Sequence, residues 1–222
     1  MPTLVDLFAR VSFLASMPAV AGIFLTAGLL VVSRDWRLNV IALTVQYFFV
    51  ALLLTRMIQL EVAAVKGLIG WLICMVFYLT ERRASEVLPS TPLGETDTPE
   101  RWQRWVISAR ASFSLLAGLL VSVAAYTAAL RIPLFEMPLY ISLACYLMVG
   151  LGLLLIGLSE TPMQVGLGLL TFLSGFDLFY VSLEPPSLIV AGLMGAVSFL
   201  IALAAAYLRA AEVTFISEEN RA

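Results

Sequence analysis

Seven apolar runs, each near the roughly 20 residues that a helix needs to cross a bilayer, leave this 222-residue chain few folds to choose from. They fall near 11–33, 38–55, 58–80, 106–130, 138–158, 163–183 and 187–209. Lipid offers no water to satisfy peptide groups, so each run must close its own hydrogen bonds as a helix. Apolar residues make up 61% of the chain and charged ones 13%, and the mean hydropathy is +0.99. The expected fold is all-α, a polytopic membrane bundle of seven transmembrane helices surrounded by lipid. The second run is short, and only Arg56 and its neighbours separate it from the third. Pro18 suits the start of the first helix or a kink in it.

Several classes of chemistry find no support in these residues. The net charge is −2 and no basic patch could track phosphates, so no nucleic-acid partner is expected. Histidine is absent, and Cys74 and Cys145 lie inside apolar runs as small buried hydrophobes. No cofactor or metal is therefore expected. No acid–base pair, nucleophile triad or phosphate loop is visible, so the chain alone does not read as an enzyme. The N-terminus lacks a basic stretch followed by a cleavage site and reads as part of the first span.

Arginines set the expected orientation. With the N-terminus outside, Arg34, Arg37, Arg82, Arg83, Arg101, Arg104, Arg110, Arg209 and Arg221 lie on the cytoplasmic side of a prokaryotic inner membrane. Arg10, Arg56 and Arg131 lie opposite, and the C-terminus is cytoplasmic. The segment 81–105 becomes the main cytoplasmic loop, with turn-forming chain at 88–94 and a helix start near Thr98-Pro99-Glu100-Arg101. Trp71 is deeper than the other tryptophans and is expected to pack against another helix.

A shift of 125 positions lays Lys66-Gly67-Leu68-Ile69-Gly70 on Ala191-Gly192-Leu193-Met194-Gly195, and Ser33-Arg34-Asp35 on Leu158-Ser159-Glu160. This suggests two parallel three-helix repeats, spans 1–3 within 1–80 and spans 5–7 within 138–209. Span 4, at 106–130, joins them, and a polar tail follows from 210 to 222. An axis along the membrane normal would relate the copies. Gly67, Gly70, Gly118, Gly150, Gly157, Gly192 and Gly195 offer surfaces for close helix packing, within the chain or against another protein. Asp35 is a candidate cap for the second helix, and Glu160 with Thr161-Pro162 for the sixth.

Three polar residues fall at depth: Gln46, Lys66 and Asp177. Lys66 is the only lysine and sits about halfway along the third run, where an unpaired ammonium is expensive. Asp177 falls about four residues beyond the middle of the sixth run, roughly 6 Å away in depth at the helical rise. Three readings follow: a static ion pair, two groups facing a hydrated channel that passes protons, or a lysine paired with a carboxylate on another protein. Glu61 is five residues before Lys66, off its helical face, and suits the headgroup level or a polar entrance.

Leu43-Thr44-Val45-Gln46-Tyr47 and Val65-Lys66-Gly67-Leu68-Ile69-Gly70-Trp71-Leu72 are similar to the second and third helices of the K-type small membrane protein of respiratory complex I. Gly168 to Gly175 and Ala191 to Gly195 would carry a second copy. With two such halves, the chain resembles the E-type family of membrane components found in hydrogenase-4 and formate hydrogenlyase complexes. That resemblance implies larger antiporter-like membrane subunits and other small membrane-arm subunits as partners, and indirectly a soluble redox module. It also implies a lateral proton route, with Lys66, Asp177, Gln46 and Glu61 as candidates. The K-type positions matching Gln46 and Lys66 are glutamates, while the E-type family often has lysine at the latter. Acidic residues expected near Leu173 and Ala191 are absent, and Asp177 is the nearest substitute. The other function in view is a structural or assembly role that anchors another membrane complex without a proton path.

Overall fold

A computed structural model describes residues 17–33, 35–58, 60–87, 100–132, 138–183 and 188–219. Seven helices appear among them: α1 (Met17–Val32), α2 (Trp36–Leu54), α3 (Leu60–Val87), α4 (Glu100–Arg131), α5 (Leu139–Leu158), α6 (Pro162–Leu183) and α7 (Leu188–Glu219). Six are long and apolar enough to cross a membrane, and α1 is a shorter apolar helix of 16 residues. The chain is thus an all-α polytopic membrane bundle.

Local chemistry marks several helix ends. Pro18 lies in the first described turn of α1. Asp35 occupies the N-cap of α2 in an extended conformation, and its carbonyl accepts from Asn39 N–H at 3.0 Å. Its carboxylate makes no capping bond. At α6, Gln164 N–H donates to Thr161 Oγ1 at 3.3 Å while the side-chain Oε1 of Gln164 accepts from Glu160 N–H at 3.3 Å. This reciprocal cap, with Pro162 just inside, assigns the capping side chain to Thr161.

Two expected boundaries move. α3 continues past residue 80 to Val87 and α4 begins at Glu100, so the loop expected at 81–105 is helical at both ends. The tail expected from 210 is helical through Glu219. The turn expected at 88–94, the Arg34 side of the α1–α2 turn, and Arg10 and Arg221 lie outside the described residues.

The helices form a ladder. α1, α2 and α3 make one row, each packed on the next, and α5, α6 and α7 make another. The rows meet as α1 with α5, α2 with α6 and α3 with α7, and α4 lies across one end against α1 and α5. α3 and α7 run parallel, because Ile69 meets Gly195 and, further along both helices, Glu81 meets Arg209. An axis along the membrane normal would reverse one row and bring α1 towards α7; the observed rows keep the same order, so that expected axis is not the arrangement found.

Glycines set the closest approaches. A Cβ at Gly152 would lie 2.6 Å from the Phe172 backbone nitrogen, and one at Gly168 would lie 3.0 Å from the Gly152 carbonyl oxygen, so α5 and α6 touch backbone to backbone. Gly150 packs on Val121, Gly70 on the Tyr47 ring and Gly195 on Ile69. Gly67 and Gly118 make ordinary contacts with Ala51 and Val31, whereas Gly157 and Gly192 face open space. Trp71 is largely exposed among the described residues, where packing against another helix is expected from the sequence. Trp36 packs on Tyr78 instead, with the Arg37 guanidinium 5.2 Å from its ring.

Candidate functional site: a buried ion pair in a four-helix ring

Four helices close a ring, since α2 packs on α3, α3 on α7, α7 on α6 and α6 on α2. Lys66 projects from α3 and Asp177 from α6, diagonally across it. The long lysine stem spans that diagonal, and Lys66 Nζ donates to Asp177 Oδ1 at 2.6 Å and Oδ2 at 2.7 Å. Their side chains are 8% and 17% exposed, so the pair is largely withdrawn from its surroundings. Lys66 is the seventh residue of α3 and Asp177 the seventh from the end of α6, so the two are level, about 9 Å from their helix ends. The offset in depth expected from the sequence is absent, because Lys66 lies three residues outward of the middle of the 58–80 run, much as Asp177 lies four residues outward of the middle of 163–183.

The pair borders a cavity of about 50 Å³ lined from all four helices, including Tyr47, Lys66, Ser174, Asp177 and Ser198. That volume has room for water, since about 10–15 Å³ of such space suffices for one molecule. Ser174 donates to Leu170 O at 2.8 Å and Ser198 to Met194 O at 3.0 Å, so each hydroxyl has spent its proton on its own helix. Tyr47 Oη is buried without a protein hydrogen-bond partner among the described residues. In the sequence, Tyr47 and Ser174 stand out only as members of longer apolar motifs, and Ser198 does not stand out at all; their helical spacing from Asp177 and Gly195 is the available signal.

The other candidates stand apart from this cluster. Gln46 is 2% exposed and its amide nitrogen and oxygen lack partners among the described residues, yet it does not line the cavity. Asn39 lies two turns earlier on the same buried face, and its Oδ1 is also unpartnered. Glu61 is exposed and lies outside the cavity lining. Cys74 and Cys145 are free and buried. No three His, Cys, Asp or Glu residues converge as metal ligands would among the described residues.

A second interhelical ion pair has no counterpart in the sequence reading. Arg209 on α7 donates from Nε to Glu81 on α3 at 3.2 Å and from Nη1 to Glu212 at 2.9 Å. Lys66, Gly70, Ile73, Phe77 and Glu81 recur at helical spacing, which carries Glu81 round to the inner face of α3. Comparison with known proteins identifies no relative: no family, no curated protein and no solved structure matches the chain.

Proposed function

We infer that this chain is a non-catalytic membrane component of an ion-translocating complex, of the complex I-like or energy-converting hydrogenase-like kind, in which Lys66 and Asp177 are charged stations of a lateral proton route. The observation that carries this reading is an ion pair held beside a cavity with room for water. An apolar bundle rarely keeps two charges at depth without a partner or a task, and here they have both a partner and space for a proton carrier. The ladder adds support, because two parallel rows give polar groups a lateral direction along which to succeed one another. Internal repetition belongs to the same proposal, as three-helix copies laid side by side. So do the N-out orientation and the prokaryotic inner membrane, which rest on the arginine bias. Gln46 and Glu61 do not join the ion pair, and the route assigned here leaves them out.

The short contacts to both carboxylate oxygens favour a second reading, in which the pair is a fixed strut and the chain a structural component. Gentle detergent extraction followed by identification of what co-purifies separates a member of a complex from a chain that acts alone. Antiporter-like membrane proteins and a redox module are the expected companions. In the intact complex, Lys66→Met lowers proton-coupled turnover without dissociation if the first reading holds. Undiminished coupling in an assembled variant overturns it, and loss of assembly supports the strut.

A further inference from the structure

Trp71 stands ten residues from Glu61 and ten from Glu81 on α3, about 15 Å from each at the helical rise, which places it near mid-depth in a hydrocarbon layer of about 30 Å. Tryptophan ordinarily sits at the interfaces of a membrane, where its indole N–H reaches water. Here it is 68% exposed among the described residues, on the outside of the bundle. The stripe it belongs to shows what can lie against it. Trp71, Met75, Tyr78 and Arg82 recur at i, i+4, i+7 and i+11, so they share one face of α3, and all four are exposed.

A matching stripe runs along α2, where Arg37, Ile41 and Phe48 recur at i, i+4 and i+11 and are exposed likewise. The two helices are antiparallel neighbours: Gly67 meets Ala51, Gly70 meets the Tyr47 ring, and Tyr78 packs on Trp36 with ring centroids 6.1 Å apart. That register brings Phe48 to the depth of Trp71 and Arg37 to the level of Arg82. Each stripe therefore runs from an aromatic ring at mid-depth to a guanidinium at the arginine-rich end, over 11 residues or about 16 Å. One leaflet of hydrocarbon is about 15 Å deep. Arg37 rests on the Trp36 ring, 5.2 Å from its centroid, and Arg82 makes only an exposed pair with Glu86 at 3.4 Å, of a kind that contributes little. Asp35 precedes the first turn of α2 and Glu86 lies a turn past Arg82, so both acids sit on the water side of the two guanidiniums. Glu81 is buried and engaged with Arg209.

We propose that the outer seam between α2 and α3 binds an anionic phospholipid of the leaflet at the arginine-rich end, with its phosphate held by Arg37, Arg82 and the Tyr78 hydroxyl and one acyl chain laid between the two stripes as far as Phe48 and Trp71. Guanidinium forks take phosphate oxygens in pairs, and basic side chains at this level favour anionic over zwitterionic headgroups. The apolar stretch below them is as long as one leaflet is deep, so headgroup and chain are matched by the same two helix faces. Trp71 at mid-depth then has an occupant, the end of that chain. The site shares no residue with the lining of the ion-pair cavity, and it stands whether or not the pair conducts protons.

Quenching of Trp71 fluorescence by brominated lipid tests this in the full-length chain, with Trp36, Trp102 and Trp105 replaced by phenylalanine and the protein reconstituted in phosphatidylcholine vesicles. The probe is phosphatidylglycerol brominated in the lower half of one chain, compared with phosphatidylcholine brominated alike at equal mole fraction. The anionic probe is expected to quench Trp71 at least about threefold more strongly. Arg37→Gln with Arg82→Gln is expected to erase that difference, and Arg83→Gln, which removes an exposed charge from a different face of α3, to leave it unchanged. Equal quenching by the two probes overturns the inference, as does a difference that survives the double substitution. A loss as large in Arg83→Gln also overturns it, since a diffuse basic surface would then be gathering the lipid. Mass spectrometry of the wild-type chain, extracted in mild detergent with both lipids present, reads the same preference with every tryptophan in place. The ratio of retained phosphatidylglycerol to phosphatidylcholine is expected to fall about fivefold for each of Arg37→Gln and Arg82→Gln. A ratio that neither substitution changes overturns the inference even if the tryptophan replacements prevent folding.

Discussion

Lys66 and Asp177 lie on helices that face each other across a ring, and the lysine stem bridges the gap to bring its ammonium within 2.7 Å of both carboxylate oxygens. Neither charge is tolerable there without the other. Their joint presence beside room for water is what distinguishes this bundle from one held together by apolar packing alone.

Removing one member of the pair should harm the fold more than removing both. Lys66→Met leaves the Asp177 carboxylate buried without its countercharge and should cost about 3–5 kcal/mol, whereas Lys66→Met with Asp177→Leu should recover most of that loss. Thermal unfolding of the purified protein in detergent measures both. A double variant as unstable as the single would mean that the lost attraction is not the source of the damage.

Gln46 poses the opposite case, a buried amide with no protein partner among the described residues. Gln46→Leu removes two polar groups that gain nothing from burial, so stability should stay level or rise by about 1–2 kcal/mol. A fall of that size would show that water or another protein satisfies the amide in the native membrane.

Much of the architecture is legible in the sequence because lipid enforces it: apolar runs of fixed length must be helices, and the number of helices follows from counting them. The meeting of Lys66 with Asp177 is legible for a related reason, since two opposite charges at similar depth in one small bundle have few other places to go. The helix bounds are not. Charges beginning at residue 81 predict an end to the third run at 80, but α3 carries Glu81, Arg82 and Arg83 within its helix as far as Val87. Capping chemistry at α6 is nearly legible, with Thr161 rather than Glu160 supplying the oxygen. Face-dependent features are hidden, because composition says where a glycine is but not what it meets. Gly152 therefore looks unremarkable in the sequence although it makes the tightest backbone seam, while Gly157 and Gly192 meet nothing. The order of the two rows is likewise a property of packing, and a sequence shift carries no information about it.

That seam gives a third expectation. Gly152→Val or Gly168→Val forces a side chain into the opposing backbone and should destabilise the protein by about 1–3 kcal/mol or prevent folding, because overpacked backbone has no rotamer to yield. Gly157→Ala and Gly192→Ala should leave the purified chain unchanged, since a methyl there enters open space. If either alanine variant weakens co-purification of a partner while thermal stability holds, that glycine lies in an interface between proteins.

The Glu81–Arg209–Glu212 cluster allows an ordering of effects from burial alone. Glu81 is 6% exposed, Arg209 23% and Glu212 36%. Arg209→Ala strips Glu81 of its partner in an enclosed site and should cost most, approaching the roughly 3–5 kcal/mol of an uncompensated buried charge. Glu81→Gln leaves Arg209 still bonded to Glu212, so the loss should be smaller, about 1–3 kcal/mol. Glu212→Gln affects an i,i+3 pair near the surface and should cost less than about 1 kcal/mol. Arg82→Gln serves as the control: its pairing with Glu86 is exposed on both sides and should contribute at most a few tenths of a kcal/mol, screened by salt. Thermal unfolding of the four variants at low and high ionic strength gives the ranking directly. Since Arg209 ties α7 to α3 near the end remote from the ion-pair cavity, a ranking led by Glu212 instead would mean that the two helices are held there by packing, with the guanidinium serving only its own helix.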